Sequence, residues 1–542
     1  MSVRRVMGIE TEYGLLGVGD PGANPMVMSA QLVTAYANEG MPGAARARWD
    51  YQDEDPLADA RGFRLDRRAA DPSLLTDDPA HPAPESGLDR ITQRRRPGRQ
   101  AETATVANVI LPNGGRYYVD HAHPEYSSPE VTSPRDAVLW DRAGDEVLLR
   151  SSRLLAQIAG MPDVALYKNN TDGKGASYGT HENYLVERRV PFEDLVTALT
   201  PFLVTRPVIC GAGRVGRGQR NEAPGYQLSQ RADFLEAEVG LETTLRRPII
   251  NTRDEPHADA DRYRRLHVIV GDANRLEVST YLKVGTTALL LWLLERGGVP
   301  MELAALRLAD PVQAAREVSH DLSLTRRLDL EDGRRLTALE IQRVYCEVIT
   351  AAVREARQSG AVADLHQEQT ADVLARWSGL LSALAEDPRS CAREVEWVAK
   401  LRVLEAMRSR DRLGWDAPRL AALDLQWSDL RPERSVYARL AAAGAVERLV
   451  TDEEVDAAVR HPPEDTRAYF RGEAVRRYPH AVTAASWDAV IFDIDEAPAL
   501  QRVPMSEPLR GTREHVGALL DQHPDAADLL AALGGPPAAP QT

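Results

Sequence analysis

Hydrophobic and polar residues alternate from Val3 to Tyr13, which predicts an opening strand with Glu10 and Glu12 on one face. Leu32, Val33 and Tyr36 recur at helical spacing within Val27 to Glu39, so a helix follows. The pattern then disappears. Between residues 49 and 105 Asp, Pro, Arg and Gly dominate, and the run Thr92-Gln93-Arg94-Arg95-Arg96-Pro97-Gly98-Arg99 offers nothing to a core. A stretch of this length is either a flap with a function or a flexible, solvated insertion. Order returns with Val106 to Ile110 and Arg116 to His121, which the turn Pro112-Asn113-Gly114-Gly115 joins into a predicted hairpin. His123 to Tyr126 reads as a loop. Arg135 to Ile158 and Pro191 to Val204 read as helices. Val164 to Lys168 and Ser177 to Arg188 read as strands on either side of the Gly-rich turn Asp172 to Gly175. Short strands are expected at Tyr226 to Phe234, Ile249 to Arg253 and Leu266 to Gly271, and a buried helix at Leu276 to Glu295. Met301 to Arg408 is mainly helical, with Pro418 to Leu425 and Tyr437 to Arg448 continuing it. Near Val450 the character changes to short elements: helices at Glu453 to Arg460, Thr512 to Leu520 and Ala526 to Leu533, and a strand at Ala489 to Phe492.

Strands that do not alternate regularly with crossover helices argue against a doubly wound sheet and for an α+β fold. The expected division is a large domain over residues 1–448 with a flexible insertion at 49–105, a small C-terminal domain over 449–533, and a disordered Gly/Pro/Ala-rich tail at 534–542. With 43% hydrophobic and 27% charged residues, the chain has the composition of a protein that buries a large core. Its formal charge of -15 argues against a general nucleic-acid surface, although it allows a local basic groove. Cys210, Cys346 and Cys391 have no ligand-like spacing, so neither a disulfide framework nor a zinc site is expected. The N-terminus shows no apolar signal region, and the longest apolar run, Thr286 to Leu294, is too short for a membrane span. A cytoplasmic monomer without a membrane or nucleic-acid partner is the expectation.

The candidate chemistry is carboxylate-rich. Glu10 and Glu12, side by side on a strand, are at ease only when exposed, protonated or bridged by a cation; oxygen donors of this kind suit Mg²⁺. Arg116, Tyr118 and Asp120 share a face, with Asp120 at a strand end and Glu125 shortly beyond. His181, Asn183 and Leu185 share another, after glycines 173, 175 and 179, which permit a close backbone approach to a ligand. Arg253 and His267, on separate strands, are candidates for phosphate oxygens or a nucleotide, and Glu277 for a further cation ligand. Each also reads as ordinary surface polarity. No P-loop, Rossmann fingerprint, GxSxG or HExxH occurs.

Several strings occur in order along nearly the whole chain: Gly8-Ile9-Glu10-Thr11-Glu12-Tyr13-Gly14, Tyr118-Val119-Asp120-His121-Ala122-His123-Pro124-Glu125-Tyr126, Ser177 to Tyr184, Asn251 to Asp259, Leu425 to Asp429 and Pro463 to Ala468. In these the chain resembles the Pup ligase and Pup deamidase/depupylase family. The resemblance implies a glutamine synthetase-like carboxylate–amine ligase fold, a curved antiparallel sheet cradling ATP and Mg²⁺, and a groove for the C-terminus of the modifier Pup. The position and length of segment 49–105 and the string His121-Ala122-His123 resemble the deamidase/depupylase branch; the ligase branch is the alternative. One departure is Arg275-Leu276 before Glu277, where the family commonly has Met-Ser. Carried over, the resemblance makes Asp120 the essential catalytic aspartate and assigns Glu10, Glu12, Glu125 and Glu277 to metal. It puts Tyr118 at the phosphate end, His181, Arg253 and His267 at the nucleotide, and Trp487 beside it. Arg253 is also expected to stabilise charge in the reaction. The implied activity is hydrolysis of a side-chain amide or isopeptide bond at the last residue of Pup, with ATP a site component that is not consumed stoichiometrically.

Overall fold

The computed structural model describes residues 3–20, 22–45, 47–52, 54–66, 68, 70, 108–173, 175–218, 223–244, 246–360 and 366–534. Its centre is a six-stranded antiparallel sheet. In chain order the strands are β1 Met7–Glu12, β2 Asn108–Ile110, β3 Arg116–Asp120, β4 His123–Ser127, β5 Thr180–Glu187 and β6 Tyr263–Val268, and their spatial order is β6-β5-β1-β4-β3-β2. The segment expected as a loop at His123 to Tyr126 is β4, paired on both sides with β1 and β3. Pro124, which lacks a backbone donor, still takes part through its carbonyl, which accepts the Tyr13 N–H at 3.0 Å.

Register sorts the side chains into two faces. Ile9, Tyr117, Tyr126, Tyr184 and Leu266 point to the back and are buried. There they meet α1 Pro25–Ala35, α2 Pro134–Gln157 and α3 Glu277–Gly297. Helix α2 starts cleanly, with Ser133 capping the Asp136 N–H and Pro134 in the first turn. Gly144 on α2 has no room for a Cβ, which would lie 2.3 Å from the Tyr126 ring. The helix thus presses directly on the middle of the sheet.

Buried charge stiffens this back layer. Glu182 on β5 is gripped by both terminal nitrogens of Arg206, at 2.8 and 2.7 Å, and by the Tyr184 hydroxyl at 2.6 Å. Lys168 pairs with Asp141 at 2.7 Å and Asp145 at 3.1 Å. Asp145 also holds Arg142, Arg275 and the Tyr13 hydroxyl. In the Arg275-Leu276 departure from the family pattern, Arg275 therefore fills an ion-pair position and Leu276 packs in the core.

Two expected elements end early for local reasons. In place of a strand from Tyr226 to Phe234 there is a short strand, Gly225–Gln227, and then a loop. Asp272 draws that loop away by accepting from the Ser229 hydroxyl and the Gln230 N–H. The helix expected over Tyr437 to Arg448 runs only over Val436–Ala442, because Gly444 takes a left-handed conformation with φ 68°.

A second core gathers Tyr469, Phe470, Val475, Val490, Phe492, Leu520 and Leu529 around a small sheet, Val482–Ala485, Ala489–Phe492 and Gln501–Pro504. The fourth strand of that sheet is Arg48–Trp49, from the other end of the chain. The first part of the expected insertion is therefore built into the fold: Trp49 is buried, and Asp59 accepts from the Thr252 hydroxyl at 2.7 Å. The reason is pairing with strands more than 400 residues later in the chain, which no local pattern reveals. Residues 71–105, where the flexible insertion was expected to continue, and 535–542 of the expected tail lie outside the described residues. Helix Asp452–Arg460, assigned above to the small domain, packs Val455, Ala458 and Val459 into the large core, so the cores divide later than residue 448.

Glu130 ties the two cores together, bonding Arg467 at 2.8 Å and Arg471. Burial raises its carboxyl, but the charges of Arg471 and Arg467 and their hydrogen bonds outweigh that and bring it to about 2. A depressed folded-state value contributes stability that is complete above the unfolded carboxylate value and is lost as pH falls through the folded one. Between about pH 4.5 and 2 the wild type is expected to lose stability that Glu130→Gln never had. The check is melting temperature against pH for both proteins. Parallel curves through that window would remove this role.

Candidate active site

The front face of the sheet is mostly polar, with Ile110 and Leu185 as its apolar members. It carries Arg116, Tyr118 and Asp120 on β3, Glu125 and Ser127 on β4, Glu10 and Glu12 on β1, His181 and Asn183 on β5, and Arg265 and His267 on β6. Strand alternation places each of them, and cross-strand pairing sets Glu12 opposite Glu125 and Glu10 opposite His181.

Asp120 ends β3 at the hairpin tip. The next residue, His121, has φ 52°, a left-handed conformation that a non-glycine residue adopts at a cost, and its Nδ1 lies 3.0 Å from the Asp120 carboxylate. Ser29 on α1 anchors the tip by donating to the Ala122 carbonyl at 2.8 Å. Partial burial raises the Asp120 carboxyl, but the His121 hydrogen bond and the charges of His121, His181 and Arg116 hold it below the usual range. The same hydrogen bond pushes His121 up to about 9. The pair is thus a carboxylate beside an imidazolium, with the Asp120 side chain 39% exposed and open to a substrate.

Glu12 is clamped between the Gly179 N–H, which donates at 2.6 Å, and His123 Nδ1 at 3.1 Å. A Cβ on Gly179 would sit 2.1 Å from His181 Nε2 and 2.8 Å from Glu12 Oε1, so only glycine lets this strand start approach both. Oxygens of Glu12, Asp120 and Glu125 lie within 4.8 Å of one another. Burial and the charges of Asp120, Glu12 and Glu10 push Glu125 well above its ordinary value. Such a set is relieved by a divalent cation, and all-oxygen donors suit Mg²⁺. Glu10, His181 and His267 form a second group with ligand atoms at the same mutual spacing. Its Glu10 stays ionised: burial opposes this, but the His181 hydrogen bond and the charges of His267, Arg265 and His181 prevail.

On the Glu10 side the sheet borders a cleft that the small domain helps to wall, with Glu10, Asn183, Arg265, His257, Arg467 and Trp487 in its lining. Arg265 donates to Asn183 at 3.1 Å and lies 3.9 Å from Glu10. Trp487 packs edge-on against Trp49 at 5.1 Å, and the Arg116 guanidinium is sandwiched between Trp49 and Tyr118, 4.0 and 3.8 Å from the ring centres.

Tyr118, Asp120, Glu10, Glu12, Glu125, His181 and His267 are therefore one constellation, and Trp487 meets it across the cleft. Glu277 does not join. It opens α3 on the far side of the sheet, accepts the Leu449 and Val450 N–H groups and faces Arg448, a structural role at the helix start. Arg253 pairs with Asp59 through an isolated backbone β-bridge, and its charge acts on Glu255 and His267. The residues sequence reasoning passed over are His121, His123, Arg265, His257 and Arg467. Of these Arg265 was within reach, two positions from His267 on the same strand.

The family described as Pup-ligase protein matches residues 5–491, nearly all of the chain that carries this sheet and cleft. The chain belongs to the Pup-ligase family. It is 52% identical over 533 residues to the depupylase of Acidothermus cellulolyticus, covering 98% of this chain and all of that one. It is 50% identical over 537 residues to the Pup deamidase/depupylase of Mycobacterium tuberculosis, covering 99% of this chain and all of that one. Among solved structures, the complex of Pup with its ligase PafA is similar at a TM-score of 0.75 with 32% identity, covering 98% of this chain and 94% of that one. PafA with ADP is similar at a TM-score of 0.68 with 34% identity, covering 81% and 99%. The α+β architecture read from the sequence is thus that of this Pup-ligase family. Among the described residues no helix is long and apolar enough to cross a membrane.

Proposed function

We propose that this chain is a Pup deamidase/depupylase: it hydrolyses the side-chain amide of a C-terminal Gln of Pup and the isopeptide bond joining Pup to a lysine. The observation that carries the chemistry is Asp120, an exposed carboxylate at a rigid hairpin tip, held ionised by His121 and surrounded by an acidic cluster. Full-length identity of 50–52% to the depupylases favours hydrolysis over ligation.

Asp120 attacks the side-chain carbonyl carbon of the terminal residue, forming a new C–O bond. As the C–N bond breaks, the departing nitrogen takes a proton, and His121 holds one 3.0 Å from the attacking carboxylate. Water then cleaves the acyl–Asp120 bond. The residues that would hold an adenine nucleotide, which hydrolysis would not consume, are Trp487 and Arg265 in the cleft wall together with His267 and Arg253. Glu12, Glu125 and Glu10 are the residues that would hold Mg²⁺. A bound Mg²⁺ supplies positive charge for phosphate oxygens and for charge developing on the carbonyl.

The decisive assay incubates Pup ending in Gln with the protein, ATP and Mg²⁺ and follows its mass. The small gain from replacing NH₂ by OH is the expected result. Lysine conjugates forming with stoichiometric loss of ATP would instead make the chain a ligase. Glu10→Ala and Glu12→Ala are each expected to weaken Mg-ATP binding by about tenfold or more in calorimetric titration. Wild-type affinity in both variants would remove the metal assignment.

A further inference from the structure

Two arginines near the acidic cluster have no part in the chemistry above. Arg231 is 1% exposed. Its terminal nitrogens donate to the Ser177 hydroxyl at 3.1 Å and to the carbonyls of Tyr178 and Ile269 at 2.5 and 2.8 Å, while its Nε has no partner among the described residues. Arg247, half-buried, donates to the Ser177 carbonyl at 2.7 Å and to the Thr243 carbonyl at 3.1 Å. Among the described residues neither guanidinium has a carboxylate within ion-pair distance, which is unusual for arginines so buried. Burial and the neighbouring Arg247 push Arg231 down to about 10.

The position of this surplus charge is informative. Residues 177 to 179 run directly from the carbonyl that Arg247 holds to the N–H that clamps Glu12. Glu12, whose charge acts on both arginines, is already committed to Gly179 and His123. The charge of Arg247 also reaches His121, the partner of Asp120. None of Ser177, Arg231 and Arg247 lines the Trp487 cleft. Positive charge with no carboxylate in ion-pair contact among the described residues, although Glu12, Asp272 and Glu236 act on it from further off, therefore stands near His121 and away from the cleft.

We propose that Arg247, backed by Arg231, binds the α-carboxylate of the substrate's terminal residue. The inference rests on the Pup amide hydrolase reading. In a C-terminal Gln the α-carboxylate carbon is four bonds from the side-chain amide carbon, so a site that acts on one must accommodate the other. The isopeptide-linked form carries the same free α-carboxylate. A guanidinium meets a carboxylate with paired N–H groups, and Arg231, fixed by three acceptors, holds the Ser177–Tyr178 backbone and adds potential without turning to the substrate. The arrangement explains how a Gln at the chain end is chosen over internal Gln residues, whose α-carbonyl is an uncharged amide.

The test compares wild type and Arg247→Gln on two Pup substrates ending in Gln, one with a free α-carboxylate and one with an α-carboxamide. For wild type, blocking the carboxylate is expected to lower kcat/KM by roughly ten- to a hundredfold, mostly through KM. Arg247→Gln should lose that factor on the free substrate and nothing further on the blocked one. Arg247→Lys should fall between, and Mg-ATP affinity should match wild type in both variants. If wild type cleaves the two substrates equally well, the inference is overturned, whether or not a variant folds. If Arg247→Gln loses Mg-ATP affinity, the anion is a nucleotide phosphate and the inference is overturned. If wild type cleaves neither terminal Gln nor isopeptide, the hydrolase reading fails and this inference falls with it.

Discussion

Asp120→Asn is expected to lower both amide-cleaving activities by at least about a thousandfold while leaving the melting temperature and nucleotide affinity near wild type. The substitution keeps the size of the side chain and removes the charge that makes the oxygen a nucleophile. It spares the fold because Asp120 lies at a 39% exposed hairpin tip, and the tip is anchored independently by Ser29. It removes both the repulsion toward Glu12 and Glu125 and the attraction to His121, which act in opposite directions, so the effect on stability should be small. Kinetics on Gln-ended Pup and on a Pup conjugate, with melting and calorimetry alongside, separate chemistry from folding. Turnover close to wild type would exclude Asp120 as the attacking group. Loss of nucleotide binding together with activity would move it into the nucleotide and metal site.

Arg206→Met should have the largest effect on stability, a loss of about 3–5 kcal/mol. It leaves the fully buried Glu182 without the two charge-assisted bonds that hold it at 2.7 and 2.8 Å. The damage arises behind the sheet, yet Glu182 lies between His181 and Asn183, so activity should fall with stability. The double variant Glu182→Gln with Arg206→Met should recover part of the loss, because no buried charge then stands alone. Chemical denaturation of the wild type and the two variants is the measurement. A single variant as stable as wild type would show that water or a rearranged partner compensates the carboxylate.

The split of His181-Glu182-Asn183 shows what the sequence conveys unaided. Alternation with period two put His181 and Asn183 together on one side, and the structure has them there, facing the site, while Glu182 faces the core. The same rule paired Glu10 with Glu12 and aligned Arg116, Tyr118 and Asp120, so much of the acidic constellation was legible before any fold was known. The family resemblance, and not local spacing, suggested the catalytic role proposed for Asp120 and brought in Trp487, whose surroundings carry no local signal.

Four features depended on tertiary structure. Arg48–Trp49 becomes a strand only because Val482–Ala485 is available to pair with it. Glu277, an acidic residue close in sequence to the strand carrying His267, opens a helix behind the sheet and so leaves the metal group. Arg253 is placed by an isolated backbone β-bridge to Asp59, in a distant part of the chain. Arg231 and Arg247 gain significance from having no carboxylate in ion-pair contact among the described residues, although Glu12 acts on both from further off. The physical reason is common to all four. Periodicity and motif report which way a side chain leaves its own strand, a property of adjacent residues. Which charge meets which, and which is left without a counter-charge, depends on segments brought together by folding, and the Coulomb energies involved are set by burial that no local pattern encodes.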